Sequence, residues 1–407
     1  EEKMQGCVLL LFAPLAVLGQ RCNGPAASVP SFPGPDSSVK NPRAPQKIVT
    51  RAANSEVVDL GHPGPRTSTD EQSDCPFDES NLQLWSLGVQ GDDVELPANT
   101  KVLLSSCALN SSRLEFGKVT IPKSSELIFA DEPIEVSVTG IEVRGKLRAG
   151  SESCRLRSKI TITLRGQRPE ETSNVPVDRK GIYVPGGTLD IHAVEYYQTW
   201  SRLAVTAEPG DEFLLVQDAV NWDAGAKIVL LTTQLKDARD WHQNEEFFVK
   251  DVKAAPHFSS GNITAVYLNE AIKYKHYGGK EYQAEVALLS RRFVIQGDAQ
   301  DSEPTDTTPL ACSNDVYASF PCPDTHLTGY GGHVFVTGET ATARVSGVEF
   351  YRMGQTNVEG RYPMHWHLVN EGGRGSYVRD SSFHRSFYKC VTIHGTHEVL
   401  VSRNVAY

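Results

Sequence analysis

Short segments in which apolar and polar residues alternate run along the chain from about residue 84. Lys118–Ile121 and Lys159–Leu164 place a branched side chain at every second position, which is typical of β-strands with one buried face. Turn-forming residues separate such segments at intervals of about 8 to 12 residues, and a helical period is almost absent. Similar segments are Asp93–Leu96, Lys101–Leu104, Glu126–Phe129, Gly140–Val143, Glu212–Val216, Lys227–Leu231, Thr264–Leu268 and Arg292–Ile295. The pattern predicts an all-β protein.

A loose repeat marks the last part of the chain. Val345–Phe350, Val378–Phe383 and Val401–Ala406 align with one another. Short strands that recur every 20 to 35 residues or so are typical of the coils of a parallel β-helix. The repeat is still in progress at Tyr407, so we interpret the sequence as an N-terminal fragment that contains the start of such a helix.

These patterns divide the chain into regions. We expect an all-β module at residues 84–204, a β-rich connecting region at 205–310, and the truncated start of a right-handed parallel β-helix at 311–407. Residues 20–80 hold nine prolines and few periodic apolar positions, which predicts a disordered Pro/Ser-rich leader.

The first residues bear on the compartment. The apolar run Cys7–Gly19 is shorter than the roughly 20 residues of a membrane span and is typical of a signal peptide, which we place at residues 1–19. We therefore expect a protein that is secreted or lies on the extracellular face of the plasma membrane. Membrane attachment would require an anchor in the N-terminal segment or in a segment that is missing.

Cysteines and glycosylation motifs agree with export. Among the cysteines after the signal peptide, Cys312 and Cys322 bracket a short loop and are the first predicted disulfide, and Cys107 with Cys154 is the second. The sequons at Asn110 and Asn262 predict N-linked glycans.

Two strand-like segments carry histidines on one face. In Met364–Leu368 the alternation directs Met364, Trp366 and Leu368 toward a core, and His365 and His367 together toward the other face. The next segment, Cys390–His394, presents His394 in the same way. Five of the 12 histidines lie between residues 360 and 407, which makes this stretch the strongest sign of a site.

Charge narrows the partners. The chain has a net charge of −10, which argues against general binding of nucleic acid. From Arg361 to Tyr407, however, basic residues outnumber acidic ones, so the histidine-rich stretch is locally positive. A polyanionic ligand such as a uronic-acid polysaccharide suits this stretch, although the same charges are also those of solvated outer strand faces.

Recognisable motifs accompany these patterns. In residues 84–204 they are Gly91–Val94, Leu127–Asp131, Gly145–Leu147, Lys159–Leu164, Pro185–His192 and Thr199–Leu203. Downstream they are Ala284–Arg291, Gly360–Leu368 and Gly395–His397. Together they resemble the G8 (eight-glycine) domain and the β-helix of the proteins that carry it. That family includes the cell migration-inducing and hyaluronan-binding protein, transmembrane protein two and the fibrocystins.

The resemblance implies two alternative functions. Like the first two members, the chain would bind and depolymerise a hyaluronan-like polysaccharide, as a hyaluronidase-like glycosidase or lyase. Like the fibrocystins, it would be a non-catalytic adhesion or receptor ectodomain.

Three kinds of chemistry remain open for the site. Hydrolysis of a glycosidic bond uses two carboxylates, whereas β-elimination uses a base such as histidine and a cation for the uronate. The third kind uses a divalent metal ion held by His365, His367 and His394. The alternative to all three is that the histidines form a structural ladder without chemistry. The candidate catalytic residues are Arg361, His365, His367, His394, Asp380 and Glu398.

Overall fold

The computed structural model describes residues 74–86, 91–106, 111–169, 175–234, 243–255, 263–279, 281–304, 329–356 and 358–407. The predicted signal peptide, most of the predicted leader, both glycosylation sites and the predicted Cys312–Cys322 disulfide lie outside these residues. Among the residues described, no helix has the length and apolar character that crossing a bilayer demands.

Strands dominate the structure. In chain order they are β1 (Gln83–Leu84), β2 (Val94–Glu95), β3 (Lys101–Leu104), β4 (Arg113–Glu115), β5 (Lys118–Ile121), β6 (Glu126–Phe129), β7 (Ile134–Val138), β8 (Gly140–Val143), β9 (Lys146–Ala149), β10 (Ile160–Leu164), β11 (Gly181–Pro185), β12 (Thr188–His192), β13 (Trp200–Arg202), β14 (Phe213–Val216), β15 (Lys227–Leu230), β16 (Glu245–Ala254), β17 (Thr264–Leu268), β18 (Glu285–Leu288), β19 (Phe293–Gly297), β20 (His333–Thr337), β21 (Thr342–Ser346), β22 (Val348–Tyr351), β23 (Met364–Asn370), β24 (Tyr377–Arg379), β25 (Ser382–His384), β26 (Val391–Thr396), β27 (Leu400–Ser402) and β28 (Val405–Ala406). Helical segments in the described part of the chain include a four-residue α-helix, Ala299–Ser302, and two 3-10 turns, Pro76–Asp78 and Glu371–Gly373.

Three parallel sheets form a β-helix. Sheet I has the order β1-β3-β6-β9-β12-β21-β24-β27, sheet II the order β2-β5-β8-β11-β20-β23-β26, and sheet III the order β4-β7-β10-β19-β22-β25-β28. From β4 onward the chain visits sheets III, II and I in turn, except for one insertion, so each circuit adds one coil. Each strand pairs with the equivalent strand of the next coil, which confirms the all-β fold and the β-helix.

Stacked apolar residues fill the interior. Val184, Val336, Trp366 and Ile393 occupy matching positions in consecutive coils of sheet II. The first three of these side chains are fully buried, and burial of each large apolar side chain contributes about 1.5–3 kcal/mol. The alternation seen in the sequence therefore divides each strand between this interior and the outer face.

An antiparallel barrel interrupts the coils between β12 and β19. Its six strands pair in the order β13-β18-β15-β16-β17-β14. The two edges meet at the Leu203–Val216 bridge, and the Ala204 N–H donates to the Leu215 carbonyl at 2.7 Å, which closes the sheet. The barrel has its own core, which includes Trp222 and Phe247.

Buried polar contacts join the barrel to the β-helix. The Arg291 guanidinium is buried at the junction, where Nε donates to the Asp380 carbonyl and Nη1 donates to the Leu288 carbonyl. The backbone N–H of Arg291 donates to the carboxylate of Glu349. The same carboxylate accepts a hydrogen bond from Nε2 of His384 at 2.9 Å. These contacts tie the last barrel strand to the β22 and β25 coils.

The parallel coils begin much earlier than residue 311, where the sequence analysis expected them. Strands β1 to β12 already stack in the three sheets, and β12 pairs directly with β21 in register Thr188–Thr342. The first module and the C-terminal region are therefore parts of one solenoid. The coil repeat itself is confirmed, because Val345 pairs with Val378 and Val378 with Val401.

Two further expectations were wrong. Cys154 forms a disulfide with Cys75, at a Cα–Cα distance of 5.1 Å, and not with Cys107. Residues 74–80, assigned to the disordered leader, are folded, because this disulfide and the ion pairs of Glu79 with Lys101 and Arg148 hold them against the first coils. The disulfide and the two ion pairs join residues that are far apart in sequence, and the spacing of cysteines and charges along the chain does not reveal such pairings.

Candidate metal centre

Strands β23 and β26 bring the three histidines together on the outer face of sheet II. His367 pairs with His394 in the next coil, and Phe335 of the preceding coil pairs with His365. Met364 and Trp366 are buried in the interior, so His365 and His367 take the other face, as the alternation predicted. The shared face of adjacent coils therefore builds the cluster.

The alternation in β23 fails at Leu368. Its φ of 53° and a register shift between His367 and Asn370 move the following residue, Val369, into the core. Leu368 is 49% exposed and does not belong to the interior as predicted. The slip begins after His367, so it leaves the histidine pair intact.

The ring of His367 contacts the rings of both His365 and His394. Ring centroids lie 5.1 Å apart for His365 and His367, and 5.0 Å apart for His367 and His394. Nδ1 of His367 is 3.1 Å from Nδ1 of His394. One ring nitrogen from each histidine falls within 4.8 Å of those of the other two, and no second group of three ligands this compact occurs in the part of the chain that the structure describes.

The tautomer of His365 follows from its hydrogen bond. Nδ1–H donates to the Gly360 carbonyl at 3.0 Å, because a carbonyl oxygen only accepts. Nε2 of the neutral ring therefore carries the lone pair, and this atom is buried with no hydrogen-bond partner among the described residues. A buried acceptor without a partner is unusual and is typical of a site that holds an ion or water.

Burial favours the neutral form of His365 and His367, because it lowers the pKa of both side chains. Desolvation lowers the pKa of His365 to about 4, and the neighbouring His367 and His394 act in the same direction. Desolvation also lowers the pKa of His367, again with a contribution from His394. Neutral imidazole is the form that binds a metal, so above pH 5 the lone pair of His365 is available for coordination.

The donor set fits a divalent transition-metal ion. Imidazole nitrogens bind Zn²⁺ at about 2.0–2.1 Å, and three protein ligands with an open fourth position are typical of catalytic sites. A ligand histidine also usually donates its second ring N–H to a carbonyl or carboxylate, as His365 donates to Gly360. His365, His367 and His394 are the residues that would hold the ion.

The other candidate residues are engaged elsewhere. Arg361 donates through Nη2 to the Val175 carbonyl at 2.8 Å. Asp380 is buried at the turn between β24 and β25, on sheets I and III, and forms a two-pronged ion pair with Arg403 at 2.6 and 2.9 Å. Glu398 pairs with Arg374 at 2.7 Å on the surface. The structure therefore does not gather these three groups around the histidines.

Aromatic residues that the sequence analysis missed surround the centre. The Phe335 ring lies 4.9 Å from His365 and 5.1 Å from His367. Tyr362 packs 4.9 Å from His365, and its hydroxyl donates to Glu359. Tyr362 and Glu359 lie just before the histidine motif in sequence, and this proximity could have identified them as neighbours of the centre. Phe335 is distant in sequence and reaches the centre only because the coils pair.

Comparison with known families agrees with the coil architecture. The family model of the G8 domain matches residues 84–204, and that of the CEMIP beta-helix matches residues 329–407. The chain carries a G8 domain and a CEMIP beta-helix. The G8 domain supplies the first coils and ends at the first barrel strand, and the CEMIP beta-helix contains all three histidines of the centre.

Several proteins are similar over most of this chain. A G8 domain-containing protein of Dictyostelium discoideum is 34% identical over 365 residues, which cover 87% of this chain and 24% of that protein. Protein rliB of the same organism is 33% identical over 375 residues, which cover 89% of this chain and 30% of that protein. Human Fibrocystin-L is 32% identical over 317 residues, 71% of this chain and 7% of its own length.

The chain thus spans less than a third of each of these relatives. The CEMIP beta-helix and the likeness to Fibrocystin-L suggest an extracellular or cell-surface domain.

Proposed function

We propose that this chain is an extracellular polysaccharide-interacting module that holds a divalent metal ion on His365, His367 and His394 and there binds and depolymerises a hyaluronan-like polymer. The observation that carries the proposal is Nε2 of His365, which is buried without a hydrogen-bond partner among the described residues, in a cluster whose ligand nitrogens lie within 4.8 Å of one another. The CEMIP beta-helix, in which the centre lies, supports a glycan-related role.

The arrangement favours metal-assisted chemistry over a pair of carboxylates. Hydrolysis by two carboxylates requires both groups at the scissile bond, about 5 to 9.5 Å apart. Asp380 and Glu398 are instead held by Arg403 and Arg374. A bound divalent ion would supply a Lewis acid and an activated water. The chain's own contribution is to keep His365 neutral, to fix its tautomer through Gly360 and to shield one side with Phe335.

Glu359 is a carboxylate that is linked to this centre through Tyr362. It accepts a hydrogen bond from Tyr362, whose ring contacts His365, and the hydroxyl of Tyr388 lies 3.4 Å from it. The hydrogen bond from Tyr362 and the charge of Lys389 lower its pKa, so Glu359 is ionised at neutral pH. In the proposed reaction Glu359 acts as a base or as an acceptor for sugar hydroxyls.

A second candidate function is favoured by the likeness to Fibrocystin-L: a non-catalytic adhesion or receptor ectodomain. In that case the contacts among Phe335, His365, His367 and His394 serve as a structural ladder on the outside of the coils.

One experiment separates the two functions. The secreted chain is analysed for bound metal and then incubated at neutral pH with labelled high-molecular-weight hyaluronan, whose size is followed by gel electrophoresis. The test variant is His365→Ala/His367→Ala. The matched control is His397→Ala, an exposed histidine after β26 that is not part of the cluster.

We expect the parent and His397→Ala to contain metal and to shorten the polymer, and the double variant, if folded, to do neither. Metal-free parent protein that leaves hyaluronan intact would contradict the proposal and favour the adhesion ectodomain. Fragmentation by all three proteins would keep the enzymatic function and move its site away from the histidines.

A further inference from the structure

Beside the metal centre, two tyrosines and a lysine form a compact group on the loops that enter sheet II. The rings of Tyr362 and Tyr388 are stacked, with centroids 5.4 Å apart and an interplanar angle of 26°. Nζ of Lys389 lies 5.1 Å from the Tyr362 centroid and 5.3 Å from that of Tyr388. The two rings thus hold the ammonium group in one place, which a lysine on its own flexible stem does not achieve.

This group is continuous with the centre. Tyr362 contacts Lys389 through its hydroxyl, 3.4 Å from Nζ, and contacts His365 through its ring, at 4.9 Å between centroids. Because β23 and β26 are hydrogen-bonded neighbours, the loops before them bring Tyr388 and Lys389 next to Tyr362. A polymer that occupies the centre therefore meets these side chains with an adjacent sugar unit.

Lys389 keeps capacity for another acceptor. Its side chain is 54% exposed, and its ion pair with Glu359 is 3.9 Å long, beyond hydrogen-bond distance. An ammonium group has three donors, so a second carboxylate can approach from the solvent side. Tyr388 is half-buried, and its aromatic ring offers an apolar face beside the ammonium.

Charge on the surrounding loops points the same way. The two loops that lead from sheet III into β23 and β26, residues 352–363 and 385–390, carry a net charge of +3, within a chain of net charge −10. Their basic residues are Arg352, Arg361, Arg385 and Lys389, and their acidic residue is Glu359. These two loops are therefore suited to an anionic ligand.

We propose that Tyr388 and Lys389 form a subsite that receives a uronate unit of an acidic polysaccharide next to the histidine centre. Tyr388 packs against the sugar ring, and Lys389 pairs with its carboxylate. The proposal rests on the proposed function for its choice of polymer, and it adds the residues that distinguish a uronic-acid polymer from a neutral one.

A matched control exists within the same chain. On the barrel, Nζ of Lys253 lies 5.2 Å from the Tyr267 centroid, and its side chain is 48% exposed. Lys253 thus repeats the lysine-over-tyrosine contact and the exposure of Lys389, but on a different module. Lys389→Met and Lys253→Met both remove a charge and keep the apolar stem.

The test measures binding of a hyaluronan hexasaccharide, and of the same hexasaccharide with its carboxyl groups reduced to alcohols, by titration calorimetry. We expect Lys389→Met to weaken binding of the acidic hexasaccharide about tenfold, because a hydrogen bond between charged groups contributes about a factor of ten to affinity. Binding of the carboxyl-reduced hexasaccharide should be unchanged. Lys389→Arg should retain binding, Tyr388→Ala should weaken binding of both ligands, and Lys253→Met should change neither.

The outcomes keep this subsite separate from the proposed function. Equal binding by the Lys389→Met and Lys253→Met variants, or a parent that binds neither hexasaccharide, would overturn the subsite. A third outcome is that the parent contains no metal and does not shorten hyaluronan, but Lys389→Met still weakens binding of the acidic hexasaccharide. That outcome would support the subsite and reject the metal centre as catalytic. Zn²⁺ affinity, measured in parallel, should be unchanged in Lys389→Met.

Discussion

Nδ1 of His367 and Nδ1 of His394, on neighbouring coils, lie 3.1 Å apart. Two neutral imidazoles can share this distance only if one donates a hydrogen to the other or if both direct lone pairs at one cation. Two nitrogens that bind one zinc ion at about 2.0–2.1 Å in tetrahedral geometry are separated by roughly 3.4 Å, close to this spacing. The buried lone pair of His365 completes three sides of such a site.

Metal binding should therefore stabilise the fold. A ligand that binds only the native state at about 100 times its Kd adds about 2.7 kcal/mol. We expect Zn²⁺ to raise the Tm of the parent chain in differential scanning fluorimetry and a chelator to reverse the shift. His394→Ala should lose the response, and His397→Ala should keep it. An equal rise in Tm for His394→Ala would show that zinc binds elsewhere.

Buried neutral histidines should make the fold sensitive to acid. Burial lowers the pKa of His333 to about 3 and that of His365 to about 4, below the unfolded value of about 6.5. The unfolded chain therefore binds protons first, so the stability present above pH 6.5 is lost as the pH falls toward 4. The loss is on the order of 3 kcal/mol for each histidine.

Urea unfolding at a series of pH values tests this expectation. His333→Gln removes a titrating group whose Nε2–H donates to the Val177 carbonyl at 2.7 Å. The glutamine variant should show a shallower loss of stability between pH 6.5 and 4, whereas His397→Ala should follow the parent. A parent whose unfolding free energy does not change over this range would contradict the argument.

Asp380 should act in stability and not in catalysis. It is fully buried, ion-paired with Arg403, and adopts a φ of 55°, which asparagine tolerates well. Asp380→Asn removes the charge, leaves Arg403 without its partner, and should lower the free energy of unfolding by about 3 kcal/mol. Because the pair lies on sheets I and III, folded Asp380→Asn protein should keep the metal affinity of the parent.

Glu398→Gln is the matched surface change. Glu398 is exposed and pairs with the more exposed Arg374. Because water screens this ion pair, it contributes little to the free energy of unfolding. Its urea midpoint should match that of the parent. A larger loss for Glu398→Gln than for Asp380→Asn would reverse the assignment of these two carboxylates.

Residue patterns predicted the strands well because each strand obeys a local rule. Lys118–Ile121 and Thr264–Leu268 have the predicted bounds, since alternation and turn residues act within a few positions. The facing of His365 and His367 followed from the same rule. Leu368 broke it, because a left-handed residue in a strand has no signature in the apolar pattern.

Contacts between coils escaped prediction because they join distant segments. The pairing of β12 with β21 spans the inserted barrel, so nothing local shows that the first module and the last coils share one solenoid. The packing of Phe335 against His365 depends on this stacking in the same way. Asp380 looked like a catalytic candidate because only the turn geometry reveals its pairing with Arg403.

The Cys75–Cys154 disulfide should anchor the segment before the first coil. It closes a loop across a sequence separation of 79 residues, for which the chain-entropy estimate of the stabilisation is about 4.5 kcal/mol. Cys75→Ser/Cys154→Ser should therefore lower the free energy of unfolding by an amount of that order, measured by urea unfolding. Protection against proteolysis near Glu79 should fall as well, because Glu79 depends on this anchor to reach Lys101 and Arg148.

Cys390→Ser provides the control for that variant. Cys390 is an unbonded, half-buried thiol before β26, so its substitution removes no cross-link. It should change the unfolding free energy far less than the double variant. If the double variant matched Cys390→Ser in both unfolding and proteolysis, the ion pairs of Glu79 and the packing of the first coils would suffice to hold the segment, and the disulfide would not be its anchor.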